Sequence, residues 1–326
     1  MNFPKRIRRQ LLAAAAALGL GFGLAAPAVA MDKLSILVPA APGGGWDQTG
    51  RALQAAIQSA NLVKRVTVDN RGGAGGTIGL AGFVSSSKGD PSAVMIGGMV
   101  MVGAIYSNNS PVNLSQVTPL ARLTGEPGVI VVPGNSKITS MKELAAQLKA
   151  NTASVSWGAG SAGGSDHILA GLVAQAVGAD VGKLNYIAYA GGGEAQAAVM
   201  GGHVTAGISG YNEFAGQIKS GKLKALALSS AERLPGVDIP TLKELGINVE
   251  LINWRGIFGA PGITDAQTKA LIDVLDKTVK TPAWQETLTR NQWADLYLAG
   301  DAFKTFLDAD TARITKVMDG LGLGKK

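Results

Sequence analysis

The chain has 326 residues, with 30 basic and 23 acidic side chains, two histidines (His167 and His203) and no cysteine. This composition excludes disulfides, an acylated lipoprotein anchor and thiolate-based zinc or iron–sulfur sites, and two histidines supply few ligands for a metal, so neither metal nor cofactor is expected. The formal charge of +7 includes Lys5, Arg6, Arg8 and Arg9; without them 26 basic residues face 23 acidic ones with no basic run, which points away from nucleic acid.

Those four residues begin a basic start, Leu11 to Ala26 is apolar, and Ala28-Val29-Ala30 offers a small-x-small cleavage site. Residues 1–30 therefore read as a secretory signal peptide, with an apolar run shorter than the ~20 residues that span a bilayer. Arg8-Arg9-Gln10-Leu11-Leu12 loosely resembles a twin-arginine signal, and the general secretory route stays open beside it. Beyond Met31, strand and helix alternate. Leu34 to Val38 reads as a strand, then a helix from about Asp47 to Ser59, a strand at Val66 to Val68, a helix over Thr77 to Ser86 and a strand at Ala93 to Gly97. Leu120 to Val132 is strand-like, interrupted by Gly125, Pro127 and Gly128. A helix over Thr139 to Ala150 precedes strands at Ser154 to Trp157 and Asn185 to Ala188, with a helix from Asp166 to Val177 between them. Glu194 to Met200 is helical, Thr205 to Ser209 and Leu223 to Ser229 are strands, and helices follow over Thr264 to Val279, Pro282 to Arg290 and Asp301 to Met318. Alternation of this size predicts right-handed βαβ units around mainly parallel sheets.

Glycine, at 45 residues, is about twice its usual ~7% share, and it concentrates in turns that follow strands and open helices. These are Pro42-Gly43-Gly44-Gly45-Trp46-Asp47, Arg71-Gly72-Gly73-Ala74-Gly75-Gly76-Thr77, Gly158 to Ser165, and Ala190-Gly191-Gly192-Gly193-Glu194. Glycine permits close backbone approach, and the first amides of a helix lack partners, so turns facing one cleft would aim many N–H donors at an anion. Asp47 suits either capping its own helix or ordering ligand-bridging water. Trp46 suits a ligand contact or a lid packed on the surface. Ser161, Ser165, Asp166 and His167 form the densest polar cluster. A serine hydrolase is an alternative there, although no Gly-x-Ser-x-Gly elbow occurs and neighbours on one helical turn point apart. Gly158-x-Gly160-x-x-Gly163 formally matches a dinucleotide fingerprint, a weak signal in an exported chain. Tyr189 and Tyr211 stand at strand ends, where ligands of open α/β sheets sit. Arg71 and Arg255 are possible anion partners. The candidate ligand-binding residues are Gly44, Trp46, Asp47, Gly76, Thr77, Ser161, Gly163, Gly164, Ser165, His167, Tyr189, Gly191 and Tyr211.

As an ordered set these motifs, with Pro39-Ala40-Ala41 ahead of the first turn, Asp69-Asn70 ahead of the second, Ile78-Gly79 after it and Asn253-Trp254-Arg255-Gly256, resemble the periplasmic solute-binding subunit of the tripartite tricarboxylate transporter family across essentially the whole mature chain. The resemblance implies an α/β, two-lobed, type II periplasmic-binding-protein (venus-flytrap) fold that closes on an organic anion in a cleft between its lobes. Residues 31–123 and 232–326 are expected to form one lobe and 124–231 the other. It also implies a monomer without enzymatic activity. This periplasmic protein would capture a citrate-like tricarboxylate and deliver it to a permease of one large and one small membrane subunit. A ligand sensor of the same fold is a further alternative. Ala40 and Ala41 stand where relatives that bind amino acids or aromatic acids often carry an aromatic residue, which favours the tricarboxylate branch.

Overall fold

The computed structural model describes residues 31–189 and 192–323. Strand β1 (Met31–Val38) lies parallel between β2 (Val63–Asn70) and β3 (Ala93–Gly98), with helix α1 (Gly45–Ser59) making the first crossover and α2 (Thr77–Ser86) the second. Leu53, Ala56 and Ile57 recur at helical spacing on α1 and are fully buried, which fixes the face it turns to the sheet. Helix α3 (Met99–Ser107) follows β3 directly.

β4 (Thr118–Pro133) is a single 16-residue strand shared by two sheets. Its first half pairs antiparallel with β9 (Ile252–Gly259) and β10 (Ala294–Ala299); its second half pairs antiparallel with β7 (Ala206–Gly210) and β8 (Leu223–Leu228). In the second sheet β5 (Ser156–Ala159) lies parallel between β6 (Asn185–Ala188) and β7. Parallel pairs thus occupy the two flanks, and antiparallel pairs the middle, where β4 and β9 run. Helices α4 (Met141–Ala150), α5 (Ser165–Ala176), α6 (Gly192–Met200) and α7 (Tyr211–Lys219) alternate with the strands of the second sheet. Of the C-terminal helices, α8 (Asp265–Thr278) and α10 (Gly300–Gly320) pack on β4, and α9 (Pro282–Asn291) packs on α1.

The glycines and proline inside β4 do not break it. Pro127 opposes Ile252 as the last residue paired with β9, and Gly128 opposes Gly210 as the first paired with β7. Proline sits where the strand passes from one sheet to the other, a position that tolerates a missing ladder donor. Helix starts follow their side-chain signals: Ser140 with Glu143 and Thr264 with Gln267 form capping boxes, and Thr281 caps the helix that Pro282 opens. Four elements lie beyond the sequence expectations: α3, α7, β9 and β10. Among the described residues no helix is long and apolar enough to cross a membrane. The expected signal peptide, residues 1–30, lies outside the described residues.

The chain returning from β8 to β9 is stitched to β4 at Ser229, which is fully buried. Its Oγ accepts from the Gly128 amide at 2.8 Å and donates to the Leu251 carbonyl at 2.6 Å. Ser229→Ala leaves both groups buried without that partner and is expected to cost about 1–3 kcal/mol. The cost should be read as a lower urea midpoint at unchanged slope; an unchanged midpoint would show that the stitch contributes nothing to stability.

Candidate functional site

A cavity of about 580 Å³ is lined from both sheets. Five helices begin on its wall: α1 at Gly44 and Gly45, α2 behind Gly76, α5 at Gly164 and Ser165, α6 at Gly192 and Gly193, and α7 behind Gly210. Each brings amides without intrahelical partners and the positive end of a helix dipole. The first loop is held in place by Asp47, which is buried. Its Oδ2 accepts from the Gly43 amide and from Arg51 Nε, both at 2.9 Å, and its Oδ1 accepts from Asn70 Nδ2 at 3.0 Å. Burial pushes this carboxyl up, but the donors outweigh it and hold Asp47 below the usual carboxylate range. Trp46 lines the cavity while 93% buried, packed over Gly76, whose φ of +94° and close approach to the indole leave no room for a side chain.

A buried ion pair forms part of the cavity floor. Arg255 on β9 bonds Glu126 on β4 through Nη2, stacks over Trp293 at 4.8 Å, and Trp293 Nε1 donates to Glu126 at 3.2 Å. Burial lowers Arg255 to about 9, which leaves it charged at neutral pH opposite Glu126. The pair reaches both sheets' helix starts: a Cβ at Gly45 would stand 2.2 Å from Arg255 Nη2, and one at Gly210 would stand 2.3 Å from the Glu126 carboxyl. Arg255 Nε and Asn253 Oδ1 are buried without a hydrogen-bond partner among the described residues, and both residues line the cavity.

Two further carboxyls face the cavity. Asp166, in the first turn of α5, accepts from the Gly160 amide at 3.2 Å and from Ser165 Oγ at 3.2 Å, and burial raises it to about 6. Glu213, in the first turn of α7, accepts from Ser209 Oγ at 2.9 Å, and the Gly45 amide across the cavity favours its charged form; burial, and then the charge of Asp166, outweigh them and raise it to about 7. His167 points away from both. Its Nδ1 accepts from the Gly163 amide at 3.0 Å, its ring stacks on Tyr186 at 4.0 Å, and burial lowers it to about 4, so it is neutral. Ser165 Oγ donates to Asp166, so a serine–histidine relay has both its members engaged elsewhere.

Of the residues expected from sequence, Gly44, Trp46, Gly76, Ser161, Gly164 and Ser165 line the cavity together. Asp47, Thr77, Gly163 and His167 stand behind that wall; Asp47, Gly163 and His167 brace the loops, and Thr77 Oγ1 bonds the Ala74 carbonyl. Tyr189 and Tyr211 pack against a smaller apolar cluster around Val129, Val199 and Phe214 instead. Gly191 lies outside the described residues. Arg71 pairs with Asp69 on the surface, and Arg255 is committed to Glu126. Glu126, Asp166, Glu213 and Asn253 are cavity residues beyond the expected set. Asp166 and Asn253 stand inside motifs already noted, and Glu213 two positions after Tyr211, but only the fold brings them together.

Fold and site together define a solute-binding receptor of the periplasmic-binding-protein class, built from two sheets around a shared cavity. The chain belongs to the tripartite tricarboxylate transporter family receptors, which it matches over residues 50–323. BugT of Bordetella pertussis is 32% identical over 262 residues, covering 77% of this chain and 78% of BugT. A TctC solute binding protein from Polaromonas, known as a crystal structure, is 27% identical and superposes with a TM-score of 0.67 over 89% of this chain and 98% of its own. MatC from Rhodopseudomonas palustris, solved with bound malate, shares the fold at 20% identity, with a TM-score of 0.77 over 88% of this chain and 98% of its own.

The raised carboxyl of Glu213 has a sign that can be measured. A folded-state value above the unfolded one favours folding at low pH, and that contribution is lost as pH rises through about 7. Glu213→Gln stays neutral throughout, Arg255 and His167 are common to both proteins, and Asp166, relieved of the Glu213 charge, ionises more easily in the variant and shifts the difference in the same direction. The melting temperature of the variant relative to wild type is therefore expected to rise between pH 5 and pH 8; a constant difference would mean that Glu213 carries no buried charge.

Proposed function

We propose that this protein is exported by removal of residues 1–30, captures a citrate-like tricarboxylate or related organic acid in the cavity, and delivers it without turnover to a tripartite permease with one large and one small membrane subunit. The lobes are taken as 31–123 with 232–326, and 124–231, acting as a monomer. The observation that carries this reading is the convergence of five helix starts on one cavity. Helix N-termini hold carboxylates with amides and dipole ends and need no cationic side chain. Membership of a transporter receptor family supports transport, and a fold-relative solved with malate supports the ligand class.

The turn from Ser161 to Ser165 is the most exacting part of that cradle. A Cβ at Gly164 would stand 3.0 Å from the Ser161 carbonyl and 3.3 Å from Val100, so the larger side chain of valine has no room there. Calorimetric titration with citrate should show one site per chain, abolished in Gly164→Val. Ser165→Ala should be milder, because the Ser165 hydroxyl already donates to Asp166 and the amides of the turn remain in place. Circular dichroism checks that both variants fold. A folded Gly164→Val protein with wild-type affinity would place the ligand elsewhere.

A further inference from the structure

Three acceptors meet on one wall of the cavity. Asp166 enters from the start of α5, Glu213 from the start of α7 and Asn253 from β9. Each carboxylate has local donors, Gly160 and Ser165 for Asp166, and Ser209 for Glu213. No lysine or arginine is bonded to either among the described residues, and the cavity's only arginine, Arg255, is bonded to Glu126. Asn253 Oδ1 has no partner among the described residues, and neither does Nε of Arg255, which is 99% buried. Asn253 Oδ1 and Arg255 Nε are thus occluded behind the cavity lining, and the acceptors open to its contents are the two carboxylates.

A ligand carrying only carboxylates would set its negative charge against Asp166 and Glu213 wherever it left the helix amides. A ligand with a hydroxyl or ammonium group would instead place a donor among acceptors that otherwise repel one another. We infer that Asp166 and Glu213 form a donor-reading wall, so that this receptor selects organic acids bearing a hydroxyl or ammonium group next to a carboxylate over the same acids without it. This inference rests on the capture of organic acids proposed above and narrows it.

Matched acids test it by calorimetric titration at pH 8, above the raised values of both carboxyls. Citrate is compared with tricarballylate, which lacks only the hydroxyl, and malate and aspartate are each compared with succinate. A site that loses a hydrogen bond to a buried acceptor should discriminate roughly ten- to hundredfold. The inference expects that margin in at least one pair, with malate against aspartate telling whether hydroxyl or ammonium is read. It also expects Asp166→Asn combined with Glu213→Gln to shrink the margin. The wild-type comparison stands even where the double variant fails to fold. Plain acids binding as tightly as their donor-bearing partners would overturn the wall and leave organic-acid capture intact. So would a margin unchanged in a folded double variant. Absence of binding by every acid would overturn both.

Discussion

The buried pair of Arg255 and Glu126 is the constraint on which the rest of this site depends. Taking two charges out of water costs several kcal/mol per ion, and their attraction offsets that only with good geometry and further bonds. Here the further contacts are present: Trp293 stacks on the guanidinium and donates to the carboxylate. The pair joins β9 to β4, the two strands that tie the sheets together, and lies directly beneath Gly45 and Gly210. Either partner left alone would be an uncompensated buried charge between two helix starts. Their pairing therefore sets how α1, from the first sheet, faces α7, from the second.

The consequence is a cavity with an unusual division of labour. Its arginine is paired in the floor, so in the function proposed above attraction for an anion falls to main-chain amides and helix dipoles, which cannot be titrated away. Its free ionisable groups are acidic, and burial makes them reluctant to carry charge. On the function proposed above, backbone groups hold the ligand's carboxylates and side chains discriminate among the acids that fit. Because the amides come from loops that Asp47 and His167 brace from behind, the cavity wall is held in shape by polar residues outside its lining.

Much of this fold is legible in the sequence because its signals are local. Capping residues at Ser140, Thr264 and Thr281 mark helix starts, and the apolar spacing of α1 marks a buried face. The elements that escape have no such signal. Helix α3 has buried Met99, Met101, Val102, Gly103 and Ala104 and so carries little helical period. Strand β9 is buried from Trp254 onward and reads Ile-Asn-Trp-Arg-Gly-Ile-Phe-Gly, with polar residues where a buried strand shows apolar ones; Asn253 and Arg255 line the cavity. Helix α7 begins behind Gly210 without a capping side chain. The site divides the same way. Glycine turns announce Gly44, Gly76 and Gly164, whereas Glu126 and Glu213 acquire meaning only when strands distant in sequence bring them to one cavity. Tyr189 and Tyr211 sit near strand ends as expected, yet turn toward an apolar cluster, because an aromatic ring gains more by burial there than at an open wall.

The central claim is that main-chain amides at helix starts, rather than a cationic side chain, hold the ligand's carboxylates. A crystal structure of the protein grown with citrate tests it most directly. The account predicts citrate in the cavity, with carboxylate oxygens within hydrogen-bond distance of the first-turn amides of α1 and α5 and the Arg255–Glu126 pair unbroken. Citrate bound outside the cavity, or a carboxylate that displaces Glu126 to take Arg255 for itself, would contradict it.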